Sequence, residues 1–392
     1  MTIEKPSDTS LAPLAFFIPG LNGGGAQRVF VTLVNTLVTM TDHPIHLVTS
    51  RQGGSFESLV DERVVRVVLG HERVSRSVLS LARYLRRERP LAMISTLNYC
   101  NVVFLLAAML ARLPMRKVIR EANVIHDEFD PAVVKYKTLA LRCLMRLLYR
   151  RADDLIIITK DVGDSLRQRR IAPVAIMRPI PNPVMVEEAP GSATENIESL
   201  RDGFILSIGR LSYQKGFDIL IQAFAQLEDQ NLQLVILGAG AAEGLKALAQ
   251  EKGVAERVFF PGFVADTSAY LKAASLFVLP SRWEGFSNVL AEALALGAPI
   301  VASDCPGSPR EVLDGGRLGR LVPVGDAAAL AAAINGELKS PSAPREARKD
   351  FAKQYAPEKI AHQYLQILMG NWSPGLASSP VGCQPGVASS ER

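Results

Sequence analysis

The chain has 392 residues, 48% of them hydrophobic and 21% charged, with a formal net charge of +5. That length exceeds one ordinary core and fits two domains, and the composition excludes a disordered chain. Four cysteines, Cys100, Cys143, Cys305 and Cys383, stand far apart with no Cys-x-x-Cys spacing, which argues against a disulfide framework or a zinc site and for a reducing cytoplasm.

In chain order, the first apolar run, within MTIEKPSDTSLAPLAFFIPG, lacks a basic leader and a small-residue cleavage site. It reads as a buried strand rather than a signal peptide. Strands are expected near Leu14–Pro19, Ile45–Thr49, Val64–Leu69, Leu91–Thr96, Lys117–Arg120 and Leu155–Thr159, with helices such as Gln27–Met40 and Lys135–Arg150 between them. The unbroken LIIIT run suits a strand covered on both faces, and the alternation implies a parallel, doubly wound sheet. The apolar stretch Val102–Leu113 is too short for the roughly 20 residues a membrane-spanning helix needs. Proline-dense Arg178–Val184 and polar Glu187–Asn196 read as an interdomain linker. The pattern then restarts, with strands at Phe204–Ile208, Leu234–Leu237, Val258–Phe260, Leu276–Leu279 and Pro299–Ala302. A last amphipathic helix, PEKIAHQYLQIL, precedes a Ser, Gly and Pro-rich tail that reads as disordered.

Three segments follow predicted strands and carry chemistry. Gly20-Leu-Asn-Gly-Gly-Gly-Ala-Gln-Arg28 lets the backbone approach a ligand, and the helix after it favours an anion. Its spacing is not Gly-x-Gly-x-x-Gly, so a nicotinamide fingerprint is not supported; a pyrophosphate cradle and a plain tight turn both satisfy it. Gly209-Arg-Leu-Ser-Tyr-Gln-Lys-Gly216 sets two cations, Arg210 and Lys215, at the carboxyl end of a parallel strand, where such sheets bind ligands. Two fixed cations there stabilise a departing diphosphate, or are solvated surface charges. Arg282-Trp-Glu-Gly-Phe-Ser-Asn-Val-Leu-Ala-Glu292 leads into a helix whose first N–H groups face the strand ends. Glu284 precedes that helix and Glu292 lies about one and a half turns into it, so both carboxylates can flank one ligand, and carboxylates accept sugar hydroxyls well; a capped surface helix with Glu292 solvated is the alternative. In the first half, Glu121, Asn123 and His126 follow the strand KVIR as acid–base candidates, although a lone histidine serves several roles besides catalysis. Asp153-Asp154 opens a strand, on the wrong edge for a metal site.

Taken together, GRLSYQKGFDILIQAF, the Glu284/Glu292 pair and SDCPGSPREVL resemble glycosyltransferase family 4, and the resemblance runs from GGGAQRV to APEKIAHQYL. It implies the GT-B fold: two Rossmann-like doubly wound domains facing a cleft. Residues 1–186 would bind the acceptor and 199–356 the nucleotide sugar. The helix 357–370 would cross back to the first domain, leaving 371–392 as the tail. It implies a retaining, metal-independent hexosyltransferase with no cofactor. By the same resemblance, Arg210 and Lys215 grip the donor diphosphate, Glu284 sits near the donor sugar and Glu292 holds the ribose. Gly285, Phe286, Ser287 and Asn288 form the loop whose backbone contacts sugar and phosphate. Gly262 and Phe263 lie beside the base, and Gly24 and Gly25 face the diphosphate across the cleft. Many relatives carry a histidine just after the strand matching KVIRE; here Glu121-Ala-Asn123 stands there, with His126 further on, and the acceptor-side role is unassigned. QKG and SDCPGSPRE look closest to enzymes using UDP-linked sugars.

Residues 1–190 carry 26 Lys and Arg against 18 Asp and Glu, and the remainder 18 against 21. A basic first half suits an anionic partner. Two of its stretches, Val78–Arg89 and Leu139–Arg151, are basic and apolar together, as helices lying on an anionic membrane are. This fits a lipid-linked or polysaccharide acceptor in bacterial cell-surface glycan assembly, met at the inner face of the membrane; arginines shown to solvent from helices packed on the sheet are the alternative. No aromatic-interleaved basic patch supports a nucleic-acid partner. Rival readings are a nucleotide-sugar epimerase or hydrolase of the same fold, and a non-catalytic nucleotide-binding partner subunit.

Overall fold

The computed structural model describes residues 11–22, 24–124, 135–185, 203–264 and 266–372. His126, the polar stretch Glu187–Asn196 and the tail beyond residue 372 lie outside the described residues.

Two parallel sheets organise the molecule. The first has seven strands in the order β3-β2-β1-β4-β5-β6-β7. They are β1 (Leu14–Ile18), β2 (Ile45–Thr49), β3 (Val65–Val68), β4 (Ala92–Thr96), β5 (Arg116–Glu121), β6 (Asp154–Ile157) and β7 (Met177–Pro179). The second has six, β10-β9-β8-β11-β12-β13, from β8 (Phe204–Ile208), β9 (Gln233–Leu237), β10 (Val258–Gly262), β11 (Leu276–Leu279), β12 (Ile300–Ser303) and β13 (Arg320–Val322). Every β1, β2 and β4 residue is buried, as continuous apolar strands covered on both faces must be. Both sheets change winding direction beside their first strand, between β1 and β4 and between β8 and β11. In such sheets ligands bind outside the strand carboxyl ends at that switch point.

Helices cover both faces. In the first domain α1 (Gly25–Leu37) lies on one side, and α2 (Val78–Glu88), α3 (Asn98–Ala111), α4 (Lys135–Leu148) and α5 (Lys160–Gln168) on the other. The apolar stretch near Val102 is the interior of α3, which is apolar nearly all round because it is buried between α2, α4 and the sheet. The second domain adds α6 (Phe217–Phe224), α7 (Glu243–Glu251), α8 (Ser268–Ala273), α9 (Asn288–Ala295), α10 (Pro309–Val312), α11 (Ala327–Lys339) and α12 (Arg345–Ala352). The final helix, α13 (Pro357–Leu368), returns to the first domain. Ile360, Ala361, Tyr364, Ile367 and Leu368 join the core of Phe16, Val29 and Leu33.

One expectation is corrected. The proline-dense segment read as linker from Arg178 begins inside strand β7. Proline is tolerated there because β7 is an edge strand, so a missing N–H costs no ladder bond. Within the stretch read as tail from residue 371, Trp372 packs under the Arg178 guanidinium at 4.7 Å. Strand β13, three residues long, carries too short an apolar pattern to be seen in the sequence. Asp153 and Asp154 are structural. Asp154 is buried between Arg116 at 2.6 Å and Arg178 at 2.9 Å, and Asp153 pairs with Lys117.

Candidate active site

The loops leaving β1, β8 and β11 meet between the domains, each at a switch point. After β8, a 3-10 turn Tyr213–Lys215 carries Lys215 back over Gly209, where a Cβ would meet its Cδ and Cε at 3.1 Å. The turn is fixed from the β11 loop. Arg282 forks onto Asp218 at 2.9 and 2.6 Å, donates to the Tyr213 carbonyl and stacks 3.8 Å from the Tyr213 ring centre. Such a planar, bidentate clamp is a property of arginine that lysine lacks.

Held this way, Lys215 Nζ donates to Glu284 Oε1 at 2.6 Å, and Ser281 Oγ donates to the same oxygen at 2.6 Å. Glu284 is 4% exposed. An ammonium has three donors, so one bond to Glu284 leaves the others for a ligand. Both recorded bonds go to Oε1, which leaves Oε2 to accept a hydroxyl. Arg210 is exposed at the cleft with no carboxylate partner among the described residues.

The next loop passes Gly285 and Phe286 into α9. Ser287, the residue before α9, does not cap it with its side chain; its own N–H donates to Ser308 Oγ at 2.8 Å, and its hydroxyl is buried without a partner. The first turn of α9 therefore keeps N–H groups for an anion. Glu292, 13% exposed in its side chain, faces Arg28 of α1 at 3.8 Å and lines a small cavity with Met185, Asp266 and Ser268. Gly262 has φ +88° with open space where a Cβ would stand, and Phe263 beside it is 73% exposed.

The first domain closes over this loop. A Cβ on Gly285 would stand 2.1 Å from the Ala122 carbonyl oxygen and 3.3 Å from Asn123 Oδ1, so only glycine admits the two domains here. Gly24, at φ +147°, and Gly25 begin α1, and a Cβ on Gly25 would meet Asn288 Nδ2 at 3.3 Å. Two reciprocal bonds fasten the edge of the cleft: the Lys160 N–H donates to Glu311 Oε1 at 2.7 Å, and the Gly307 N–H to Asp161 Oδ2 at 2.6 Å.

The structure thus gathers Gly24, Gly25, Arg210, Lys215, Glu284, Gly285, Ser287, Asn288 and Glu292 around one cleft. Two side chains named from the sequence point into the protein interior. Phe286 turns its ring away, edge-on to Tyr355 with centres 5.6 Å apart, and packs against both domain cores. Glu121, read as an acceptor-side candidate, is a hydrogen-bonded carboxyl of the first-domain interior. It is buried beneath the cleft floor, where Asn101 donates to it at 2.9 Å and the Tyr149 hydroxyl donates to it. Burial pushes its carboxyl up to about 7, against the lowering pull of Tyr149, Asn101 and Arg120. Asn123 remains at the cleft, exposed. Arg282, Ser281, Ser308, Arg28 and the Asp161–Gly307 contact were missed as parts of the site. The motifs contained most of them, but most of their roles depend on partners distant in the chain, 146 positions apart for Asp161 and Gly307.

Two doubly wound domains facing a cleft define a two-domain α/β architecture of the Rossmann-like kind, and comparison with known proteins identifies its family. Residues 24–183 match the "Glycosyl transferase 4-like domain" and residues 194–356 the "Glycosyl transferases group 1" family. The N-acetylgalactosamine-N,N'-diacetylbacillosaminyl-diphospho-undecaprenol 4-alpha-N-acetylgalactosaminyltransferase of Campylobacter jejuni is 30% identical over 377 residues, covering 91% of this chain and 99% of that protein. The lipopolysaccharide core biosynthesis glycosyltransferase LpsE of Rhizobium meliloti is 35% identical over 42% of this chain and 49% of its own length. Among solved structures, HepE of Anabaena in complex with UDP-glucose superposes with a TM-score of 0.77 at 19% identity, over 91% of this chain and 99% of that one. The chain belongs to the glycosyltransferases of the GT4 type, with the GT-B fold, and is a transferase enzyme.

Proposed function

We propose that the chain moves a hexosyl group from a UDP-linked sugar to a hydroxyl of a lipid-linked saccharide, with retention at the anomeric carbon. The observation that carries this reading is the Lys215–Glu284 pair beside the uncapped start of α9. It sets cationic and N–H donors where a diphosphate leaves and a carboxylate oxygen where a sugar hydroxyl sits. Arg210, Lys215 and the α9 N–H groups stabilise the charge growing on the leaving diphosphate. The bond from C1 to the diphosphate oxygen breaks, and the acceptor oxygen bonds C1 on the same face. The acceptor proton passes to the departing phosphate oxygen. In this reading the protein supplies the positive charge itself, with no metal and no other cofactor.

The acceptor class is supported by the names of the relatives, one acting on a diphospho-undecaprenol-linked saccharide and one in lipopolysaccharide core assembly, and by a face of the first domain. Leu139, Leu144 and Leu147 on α4 are 59%, 40% and 65% exposed, beside exposed Arg146, Arg150 and Arg151. A helix packed only on its sheet would bury such leucines; this one turns them outward with arginines, as interfacial helices do. Among the described residues no helix is long and apolar enough to cross a membrane, so contact there would be peripheral. The test is product analysis with EDTA present: UDP release and, by NMR, the donor's own anomeric configuration in the product. Inverted configuration, or free sugar as the sole product, would defeat the reading.

A further inference from the structure

Arg120, at the carboxyl end of β5, is fully buried, and all three acceptors recorded for it are uncharged. Nη1 donates to Thr96 Oγ1 at 2.8 Å, Nε to the Tyr364 hydroxyl at 3.0 Å, and Nη2 to Asn182 Oδ1 at 2.5 Å. A guanidinium withdrawn from water with no ion pair among the described residues is costly to the fold. Its acceptors come from three places that matter to the cleft. Thr96 ends β4 at the switch point and precedes Leu97, a non-glycine residue at φ +77°, a backbone strain of the kind found at functional sites. Asn182 lies on the segment leaving the first domain, and Tyr364 on the helix that returns to it.

Asn182 also reaches the donor loop: its Nδ2 donates to Asn288 Oδ1 at 2.8 Å. Arginine has donors only. Asn182 must therefore turn its oxygen to Arg120 and its NH2 to Asn288. Asn288 must in turn offer Asn182 its oxygen, which leaves its own NH2 facing Gly25 and the cleft. The polarity of both amides follows from one buried cation. Resting on the proposed function, we infer that Arg120 is a positioning residue which, through Asn182, holds the Asn288 amide as a hydrogen-bond donor toward the bound nucleotide sugar when the domains are closed.

The decisive variant is Asn182→Asp. Its carboxylate keeps the bond to Arg120 and adds a counter-charge in direct contact with it, but it cannot donate to Asn288, whose amide must then turn its NH2 away from the cleft. We expect a Tm at or above that of the wild type together with a kcat at least tenfold lower and a KM changed less than threefold. A role in packing alone would move stability and turnover together. A double-mutant cycle adds the second readout: Asn182→Ala should lower kcat in the wild type and have little further effect in Asn288→Ala, the mark of two residues acting as one unit. Wild-type kcat in Asn182→Asp, or fully additive losses in the cycle, would overturn the inference. If the wild type transfers no sugar from any nucleotide donor, the proposed function falls. The inference, which rests on that function, then falls with it, whereas a wild type that transfers sugar and an Asn182→Asp variant that transfers it equally well overturn the inference alone.

Discussion

At the scale of single residues, Lys215 and Glu284 are each committed to a partner in a way that leaves further donors and an acceptor over for a ligand. Lys215 spends one N–H on Glu284, and Glu284 spends one oxygen on Lys215 and Ser281. Glu121 shows the opposite arrangement, a carboxyl enclosed by the core. Its ordinary value of 4.5 is pushed up to about 7, so the folded state holds the proton more tightly than the unfolded chain. The stability this contributes is full below about 4.5 and is lost as pH rises through about 7. At about 1.4 kcal/mol per unit, the loss across that window is roughly 3 kcal/mol. Glu121→Gln, uncharged at every pH, should remove that slope. Denaturant unfolding at pH values on either side of the window measures it, and an unchanged slope in the variant would locate the titration elsewhere.

At the scale of elements, loops after three strands do the work, and glycine decides whether they can meet. The Gly285 contact with the Ala122 carbonyl leaves no room for a methyl group. Gly285→Ala should therefore hold the α9 loop off the first domain while each domain keeps its own core. A displacement of about 1 Å at a reacting centre is worth about a hundredfold in rate, so kcat/KM should fall by about that factor with the far-ultraviolet circular dichroism unchanged. Turnover within twofold of wild type would mean that the closed arrangement is not the working one. The Glu311 carboxyl belongs to the same edge. Burial pushes it up even though the Lys160 N–H stabilises its charged form.

At the scale of the whole molecule, much of the plan was legible in the sequence. The unbroken apolar strands and the restart after the linker gave two doubly wound domains, because burial on both faces leaves a plain periodic signature. The chemistry-bearing loops were legible because each follows a strand. What stayed hidden depends on distant contacts. Nothing local marks Arg120 as buried, Phe286 as core or Asn182 as a bridge to Asn288, 106 positions away. The outward leucines of α4 were equally ambiguous, since a basic amphipathic stretch reads the same whether its apolar residues face the sheet or a bilayer. If they meet a membrane, the wild type should float with vesicles containing anionic lipid at low salt. Leu139→Ser combined with Leu147→Ser should remain with the soluble fraction and melt near the wild-type temperature. Failure of the wild type to float at low salt would remove the membrane from the account.

The account turns on the second domain holding a nucleoside diphosphate at the Lys215–Glu284 pair. Calorimetric titration of UDP, GDP and ADP into wild type and Lys215→Ala, with EDTA present, tests this most directly. The prediction is binding of UDP to the wild type and at least tenfold weaker binding to the variant, a loss of about 1.4 kcal/mol or more. Equal affinity in the two proteins, or no binding of any of the three by the wild type, would contradict it.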